Sequence, residues 1–263
     1  MPEGHTVHRI ANAFQSDFAG RPVTVTSPQG RFNSDAALIS GQVLKRARAI
    51  GKQMFLEFDG GAIVRIHLGI YGKWQFHDSA DAAITGQVRA RFTAGEISAD
   101  LRGPTVCEVI TKAEAKTVFN RLGPDPLNAN PSNREAQRFI SRVQASKSPI
   151  GLLLMNQDVI AGIGNVYRAE LLFRAEITPH RPGNLCTTDE LQAIWDDSVK
   201  LLRIGVKTGF MITKEKLFRK NPTKAERNWV YKREGTPCER CGASVQIELM
   251  ATRKLYWCPG CQK

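Results

Sequence analysis

Four of the six cysteines crowd the last 26 residues as Cys238-Glu-Arg-Cys241 and Cys258-Pro-Gly-Cys261, a C-x2-C-x16-C-x2-C spacing. Thiolates are soft ligands, and four of them suit a closed tetrahedral zinc site with no open coordination position. One structural Zn2+ on Cys238, Cys241, Cys258 and Cys261 is therefore expected, and not a catalytic one. A redox pair would need only one such C-x2-C. At the other end the chain opens Met-Pro-Glu-Gly. Removal of Met1 would leave Pro2 as a secondary amine, an unusual group at an N-terminus, with Glu3 next in sequence.

Two further stretches suggest a polyanionic partner. In the segment 157–173, glycines 162 and 164 precede Asn165, where a helical pattern starts. Asn165 is a good N-cap, and the N-terminus of a helix favours an anion such as a phosphate. An ordinary helix–helix turn would read the same way in isolation. In "HLGIYGKW" at 67–74, Ile70 and Tyr71 lie between Gly69 and Gly72. They either fold back onto the sheet or stand out as a wedge that enters a base stack. Arg253, near the bend of the segment between the cysteine pairs, is either a surface cation or a phosphate contact on a rigid tip.

These residues need elements to hold them. Val7, Ile10, Ala11 and Phe14 recur at helical spacing within 1–16. From 23 to 101 short β patterns dominate, with "QMFLEF" at 53–58, a turn signal "DGG" at 59–61, "AIVRIHL" after it and "QVRARF" at 87–92. That spacing suggests a sandwich or barrel. The Pro- and Asn-rich segment 123–133 reads as a linker. Helices are expected over 134–145, 149–157 and 165–175, the last amphipathic. Another starts at a Thr187/Glu190 capping box. The expected domains are thus 1–122, a linker 123–133, 134–228 and 229–263.

A formal net charge of +12 favours DNA, RNA or an anionic membrane, and residues 214–233 alone carry eight Lys/Arg against two Glu. No apolar run is long enough for a membrane helix, and the N-terminal stretch lacks the apolar core of a signal peptide. A soluble, cytoplasmic protein is expected.

Taken together, "MPEG", "GKQMFLEF" at 51–58, "RLGPDPL" at 121–127, "AGIGNVYRAELL" at 161–172 and "TRKLYWCPGC" at 252–261 resemble the blocks of the Fpg/Nei family of DNA glycosylases, in the family order across essentially the whole chain. Glu3-Gly4 and the lack of a Gly-Gly-Ser/Thr…Arg-Asp-Tyr segment near 205–225 resemble the endonuclease VIII (Nei) branch. The resemblance implies an α+β fold: an N-terminal β-sandwich with flanking helices, a helical helix–two-turns–helix domain and a C-terminal zinc finger, with DNA in a basic cleft.

It also implies roles. Pro2 would attack C1′ of a damaged nucleoside and form a cationic iminium, with Glu3, its pKa raised by burial, as proton donor. Lys52 would contact phosphate and assist β-elimination, although spacing alone equally allows a surface lysine. Arg253 would clasp the flanking phosphates and serve δ-elimination. Asn165 and Arg121 would contact DNA, and Gly69, Ile70 and Tyr71 would form the void-filling loop. The implied activity is a bifunctional glycosylase/AP lyase for oxidised bases, pyrimidines preferred. It would act as a monomer on damaged double-stranded DNA, nucleoid-associated, without a small-molecule cofactor. Two rival readings keep the scaffold for oxidised purines, or make the chain a non-catalytic zinc-finger protein binding damaged DNA. Two positions depart from the family: Thr6, where many relatives have a second carboxylate, and Gly69, where the branch often has Gln. The first bears on how the sugar is held, the second on the opposite base.

Overall fold

A computed structural model describes residues 2–218, 220 and 222–263. Met1, whose removal would free the Pro2 nitrogen, lies outside the described residues, as do two positions of the basic 214–233 segment. The chain divides into two compact units, Met1–Arg121 and Leu122–Lys263.

The first unit runs α1 (Gly4–Asp17), β1 (Thr24–Thr26), α2 (Asn33–Ile39), β2 (Leu44–Ile50), β3 (Gln53–Phe58), β4 (Ile63–His67), β5 (Lys73–His77), β6 (Ala90–Ala94), β7 (Ile97–Arg102), β8 (Val106–Ile110) and α3 (Lys112–Arg121). Two four-stranded antiparallel sheets, ordered β1-β6-β7-β5 and β2-β3-β4-β8, form the sandwich. The period-2 pattern of β3 explains its two faces. Met54, Leu56 and Phe58 enter the main core with Val64, Ile66, Phe92 and Leu101, and α1 adds Val7, Ala11 and Phe14. Phe55 points the other way and meets Ile63, Ile110 and Phe119 under α3. The second sheet also buries a charge: Asp100 takes two bonds from Arg91 and one each from Arg102 and His77.

The second unit contains α4 (Arg134–Gln144), α5 (Ile150–Leu153), α6 (Asn165–Arg174), α7 (Thr188–Thr208), β9 (Gln246–Met250) and β10 (Arg253–Trp257). The capping box forms as expected: Glu190 N–H donates to the Thr187 hydroxyl, and Thr187 N–H to the Glu190 carboxylate. Three expectations differ. The helix expected over 149–157 is a single turn, because Asn156 and Gln157 turn the chain away; Asn156 accepts from Asp158 N–H, and Gln157 bonds Met155, Ile163 and Gly162. Residues 122–126 of the segment around the expected linker are buried, with Gly123 N–H bonded to the Gln157 carbonyl and Ala161 N–H to the Pro124 carbonyl. The helix expected to be amphipathic, α6, is buried on every side from Asn165 to Phe173. Its Tyr167, Leu171 and Leu172 join the helical core, while Ala169 and Phe173 join a second cluster with Val230, Val245, Tyr256 and Cys258. The cysteine-bearing hairpin thus shares a core with α6, as a module too small to bury one alone must.

Candidate active site and nucleic-acid interface

At the start of the first unit, Pro2 is half-buried and Glu3 is completely buried as the N-cap residue of α1. The Glu3 carbonyl accepts Thr6 N–H at 2.9 Å and Val7 N–H at 3.4 Å, so the chain turns into helix one residue after the pair. His5 is buried in the same turn, with Nε2 3.1 Å from the Thr6 hydroxyl.

Lys52 sits just before the strand, in the two-residue turn Gly51–Lys52 that joins β2 to β3 across the Ile50–Gln53 pair. Gly51 has φ 57°, which suits the first position of a tight hairpin turn. Across the next ladder Gln53 pairs with His67, so the hairpin register puts Lys52 at the same sheet end as His67 and the loop after it. Burial, then the charges of Lys52 and Arg65, lower the His67 pKa. A half-buried imidazole kept from charging by burial and by two cations leaves the positive charge at this sheet end to Lys52 and Arg65. His67 was not among the sequence candidates. The signal was present, because the "DGG" turn fixes the register that brings it to Lys52.

The loop at 68–72 closes with Gly72 N–H donating to the Leu68 carbonyl. Gly69 has φ 64°, and a Cβ there would lie 1.9 Å from the Thr105 hydroxyl oxygen. Both the backbone conformation and Thr105 exclude a side chain, which gives the departure at this position its physical reason. Ile70 and Tyr71 are 46% and 85% exposed, so they stand out from the sheet rather than folding back. Arg121, the last residue of α3, is exposed.

In the second unit, Asn165 is not the N-cap expected of it. Gly164 takes that position and Asn165 is the first helical residue, 6% exposed. Its Nδ2 donates to the Lys254 carbonyl at 2.8 Å. Arg168, fully buried, donates to the same carbonyl at 3.1 Å and to Asn165 Oδ1 at 2.5 Å. The first turn of α6 therefore clamps the backbone next to Arg253. Met250 supports the clamp from the other strand; a Cβ on Gly151 would come within 2.9 Å of its Sδ. Arg253 itself is exposed at the start of β10, directly after a turn in which Ala251 and Thr252 have φ 45° and 65°.

Glu170, also completely buried, accepts the N–H groups of Trp229, Val230 and Tyr231 at 2.8–2.9 Å and the Thr213 hydroxyl. It ties the chain entering the hairpin to α6. Neither Arg168 nor Glu170 was singled out from the sequence, because most of their partners lie far along the chain.

The sulfurs of Cys238, Cys241, Cys258 and Cys261 lie within 4.8 Å of one another. Cys238–Cys261 and Cys241–Cys258 separations are 3.8 and 3.4 Å. Tetrahedral thiolates 2.3 Å from zinc would be about 3.8 Å apart, so the donor set and its spacing fit that ion. Gly260 is needed for the second knuckle, since a Cβ there would come within 2.7 Å of Cys241 Sγ. The other two thiols lie elsewhere: burial pushes Cys107 up to about 12 and raises Cys186.

The formamidopyrimidine-DNA glycosylase N-terminal domain matches residues 1–122, and the formamidopyrimidine-DNA glycosylase H2TH domain matches residues 122–216. The chain is 46% identical to endonuclease 8 1 of Mycobacterium tuberculosis and 26% identical to endonuclease 8 of Escherichia coli, in each case over the whole of both chains. Its fold is similar to that of Lactococcus lactis formamidopyrimidine-DNA glycosylase bound to DNA containing an AP site, with a TM-score of 0.82 at 20% identity over 99% of each chain.

Proposed function

The chain belongs to the formamidopyrimidine-DNA glycosylase family, whose members are DNA glycosylase/AP lyase enzymes of DNA repair, and on that premise we propose that it excises oxidised bases, pyrimidines by preference, through the amine of Pro2. The observation that carries the reading is the opening of α1: a half-buried Pro2 followed by a fully buried Glu3.

The Pro2 nitrogen, once Met1 is removed, adds to C1′ as the C1′–base bond breaks, and its N–H proton passes to the departing base. Glu3 gives a proton to O4′ as the sugar ring opens, leaving a secondary-amine iminium that is cationic without protonation. That cation acidifies C2′. Loss of a C2′ proton and departure of the 3′ phosphate is β-elimination; loss of the C4′ proton and departure of the 5′ phosphate is δ-elimination. Water then releases Pro2 from the sugar remnant.

Lys52, with His67 at the same sheet end, would hold a phosphate beside the everted nucleotide. Ile70 and Tyr71 would fill the vacated stack, the cost of extrusion being a few kcal/mol. Arg253 would take the phosphates flanking the lesion. Asn165 spends one of two Nδ2 hydrogens on Lys254, and the other would reach phosphate. Arg121 would add an exposed cation to the DNA surface. Zinc on the four cysteines would supply a structural cross-link that fixes the hairpin. The net charge of +12 is consistent with strongly salt-dependent DNA binding.

Borohydride trapping tests the reading. A covalent adduct with damaged duplex is expected in the processed protein and none in Pro2→Gly. An adduct that survives in Pro2→Gly would transfer the nucleophile to a lysine. Turnover on duplexes with thymine glycol, 5-hydroxyuracil or 8-oxoguanine decides pyrimidine against purine.

A further inference from the structure

The Asp59-Gly60-Gly61 turn joins β3 to β4 at the opposite end of β3 from Lys52 and the 68–72 loop. The strand between them spans roughly 20 Å. Neither glycine has a side chain to fill the space around the turn, and the surface there is hollowed. One hollow, of about 300 Å³, has Ile63, Ala115 and Phe119 among its walls. A second, of about 620 Å³, is lined by Leu38, Ala62, Val109 and Ile110. Both include Gly61, Ala62 and Lys112, so they form one continuous groove. Leu38 is 61% exposed, more than Ile70 of the wedge loop, although nothing in the proposed chemistry uses it.

The rim of this apolar groove is basic. Lys45 lines the first hollow from β2, and Lys112 belongs to both hollows. A Cβ on Gly61 would lie 3.8 Å from Lys112 Cε, so the lysine stem crosses the turn where the hollows meet. Lys116, four residues on, extends the same helix face. All three lysines are exposed, and none pairs with a carboxylate among the described residues. The Glu57 carboxylate is matched by Arg48, whose Nε lies 2.6 Å away and whose guanidinium covers the Phe119 ring at 4.3 Å. Asp59, which accepts Val43 N–H at 3.3 Å, is the remaining acid on the lining. The groove thus joins recessed apolar walls to an excess of free ammonium groups. A DNA backbone would satisfy the ammonium groups but has no apolar side chain to fill the hollows.

We propose that this groove docks an acidic peptide segment of a partner protein, with one apolar side chain in each hollow and flanking carboxylates on Lys45, Lys112 and Lys116. Charge complementarity selects the acidic segment, and the two hollows supply its anchors. In an extended peptide, side chains two residues apart point the same way and lie about 7 Å apart, which suits two hollows with a shared wall. The surface is at the far end of the sheet from Lys52 and the wedge loop, so the partner and DNA are bound together. The inference goes beyond the excision reaction and does not depend on Pro2 as the nucleophile.

The test is selection from a displayed library of random short peptides on the intact protein, saturated with a duplex that carries a non-cleavable abasic analogue. Enriched peptides should combine acidic residues with two apolar ones. The strongest of them, synthesised with a fluorophore, should bind in an anisotropy titration and weaken as salt rises. Leu38→Asp and Lys112→Glu should each weaken it at least about tenfold, and Lys112→Arg should bind as the wild type does. Strand cleavage at an abasic site should be unchanged in all three variants, which also shows that they fold. No enrichment, enrichment of basic or uncharged peptides, or binding indifferent to both Leu38→Asp and Lys112→Glu overturns the proposal. Displacement of the peptide by excess duplex would give the groove to DNA. Self-association of the wild type that Leu38→Asp abolishes, read by sedimentation, would give it to a second copy of the chain. Either result also overturns the proposal.

Discussion

The loop at 68–72 takes its positive φ from a glycine, Gly69, whereas the β9–β10 turn takes two positive φ values from Ala251 and Thr252. Each precedes exposed side chains that DNA would meet, Ile70 and Tyr71 in one unit and Arg253 in the other. Glycine occupies the left-handed region without strain, while other residues, and a β-branched one above all, do so at a cost of about 1–2 kcal/mol each. The sandwich loop therefore holds its shape by composition and by one close approach, to Thr105. The hairpin turn holds its shape only because its surroundings dictate it: the Met250–Arg253 pair, the Asn165 and Arg168 bonds to Lys254, Met250 on Gly151, and the cysteine cluster at the hairpin's far end. Local strain persists where the structure around it over-determines the conformation.

The comparison breaks most completely if the metal site is removed. Cys258→Ser should lose bound metal and let the hairpin relax, lowering affinity for duplex DNA by at least about tenfold through loss of phosphate contacts. The sandwich should stay folded. Metal content and fluorescence anisotropy check this, and unchanged affinity would show the hairpin to be dispensable for binding. The converse break is Gly69→Ala. It adds a Cβ at positive φ and against Thr105, and should destabilise the first unit by about 1–3 kcal/mol in urea unfolding. Excision of a damaged base should fall more than cleavage at a preformed abasic site if the loop acts in extrusion. Equal losses would assign the loop a structural role alone.

What the sequence made legible was local. Period-2 alternation found β3 and β4, "DGG" found their hairpin, Thr187 and Glu190 found the head of α7, and cysteine spacing found the four-cysteine cluster. Each signal lies within a few residues of its cause, except the cluster, whose spacing is characteristic. The rest depended on distant partners. Arg168 and Glu170 read as surface polar positions of a helix, yet they point to opposite sides of α6, where Lys254 covers one and residues 229–231 the other with backbone groups. The same contact draws the Asn165 side chain off its capping role. The segment after Arg121 looks like a linker by composition, but Gly123 must lie close to residues 158 and 159, where a Cβ would come within 2.7 Å of backbone. His67 gained its neighbour through a sheet register that the "DGG" turn fixes, two steps from the local signal.

A milder probe acts on the start of α1, where acid should loosen the first unit through His5. Its folded pKa, about 4, lies below the ordinary value of 6.5. The stability that comes from burying the neutral ring is therefore complete above about pH 6.5 and is lost as pH falls toward 4. The Tm advantage of the wild type over His5→Gln should shrink through that window. A constant advantage would mean that the ring does not change its charge on unfolding there.

The smallest expected effect asks whether the strained turn is needed. Thr252→Gly removes the β-branched residue from positive φ while leaving the ladder, the Lys254 clamp and the cysteines in place. It should stabilise the second unit by about 1 kcal/mol if the strain is stored there. It should also free the backbone beside Arg253, and that is where the two units would differ in function as well as in construction. On an abasic duplex the ratio of δ- to β-elimination product should fall a few-fold, since a guanidinium that wanders meets the 5′ phosphate less often. A stability gain with an unchanged product ratio would mean that the Asn165–Arg168 clamp alone positions Arg253 and the turn is only tolerated. No gain at all would mean that the strain is relieved elsewhere in the hairpin, and the contrast with Gly69 would then rest on side-chain contacts instead of on backbone conformation.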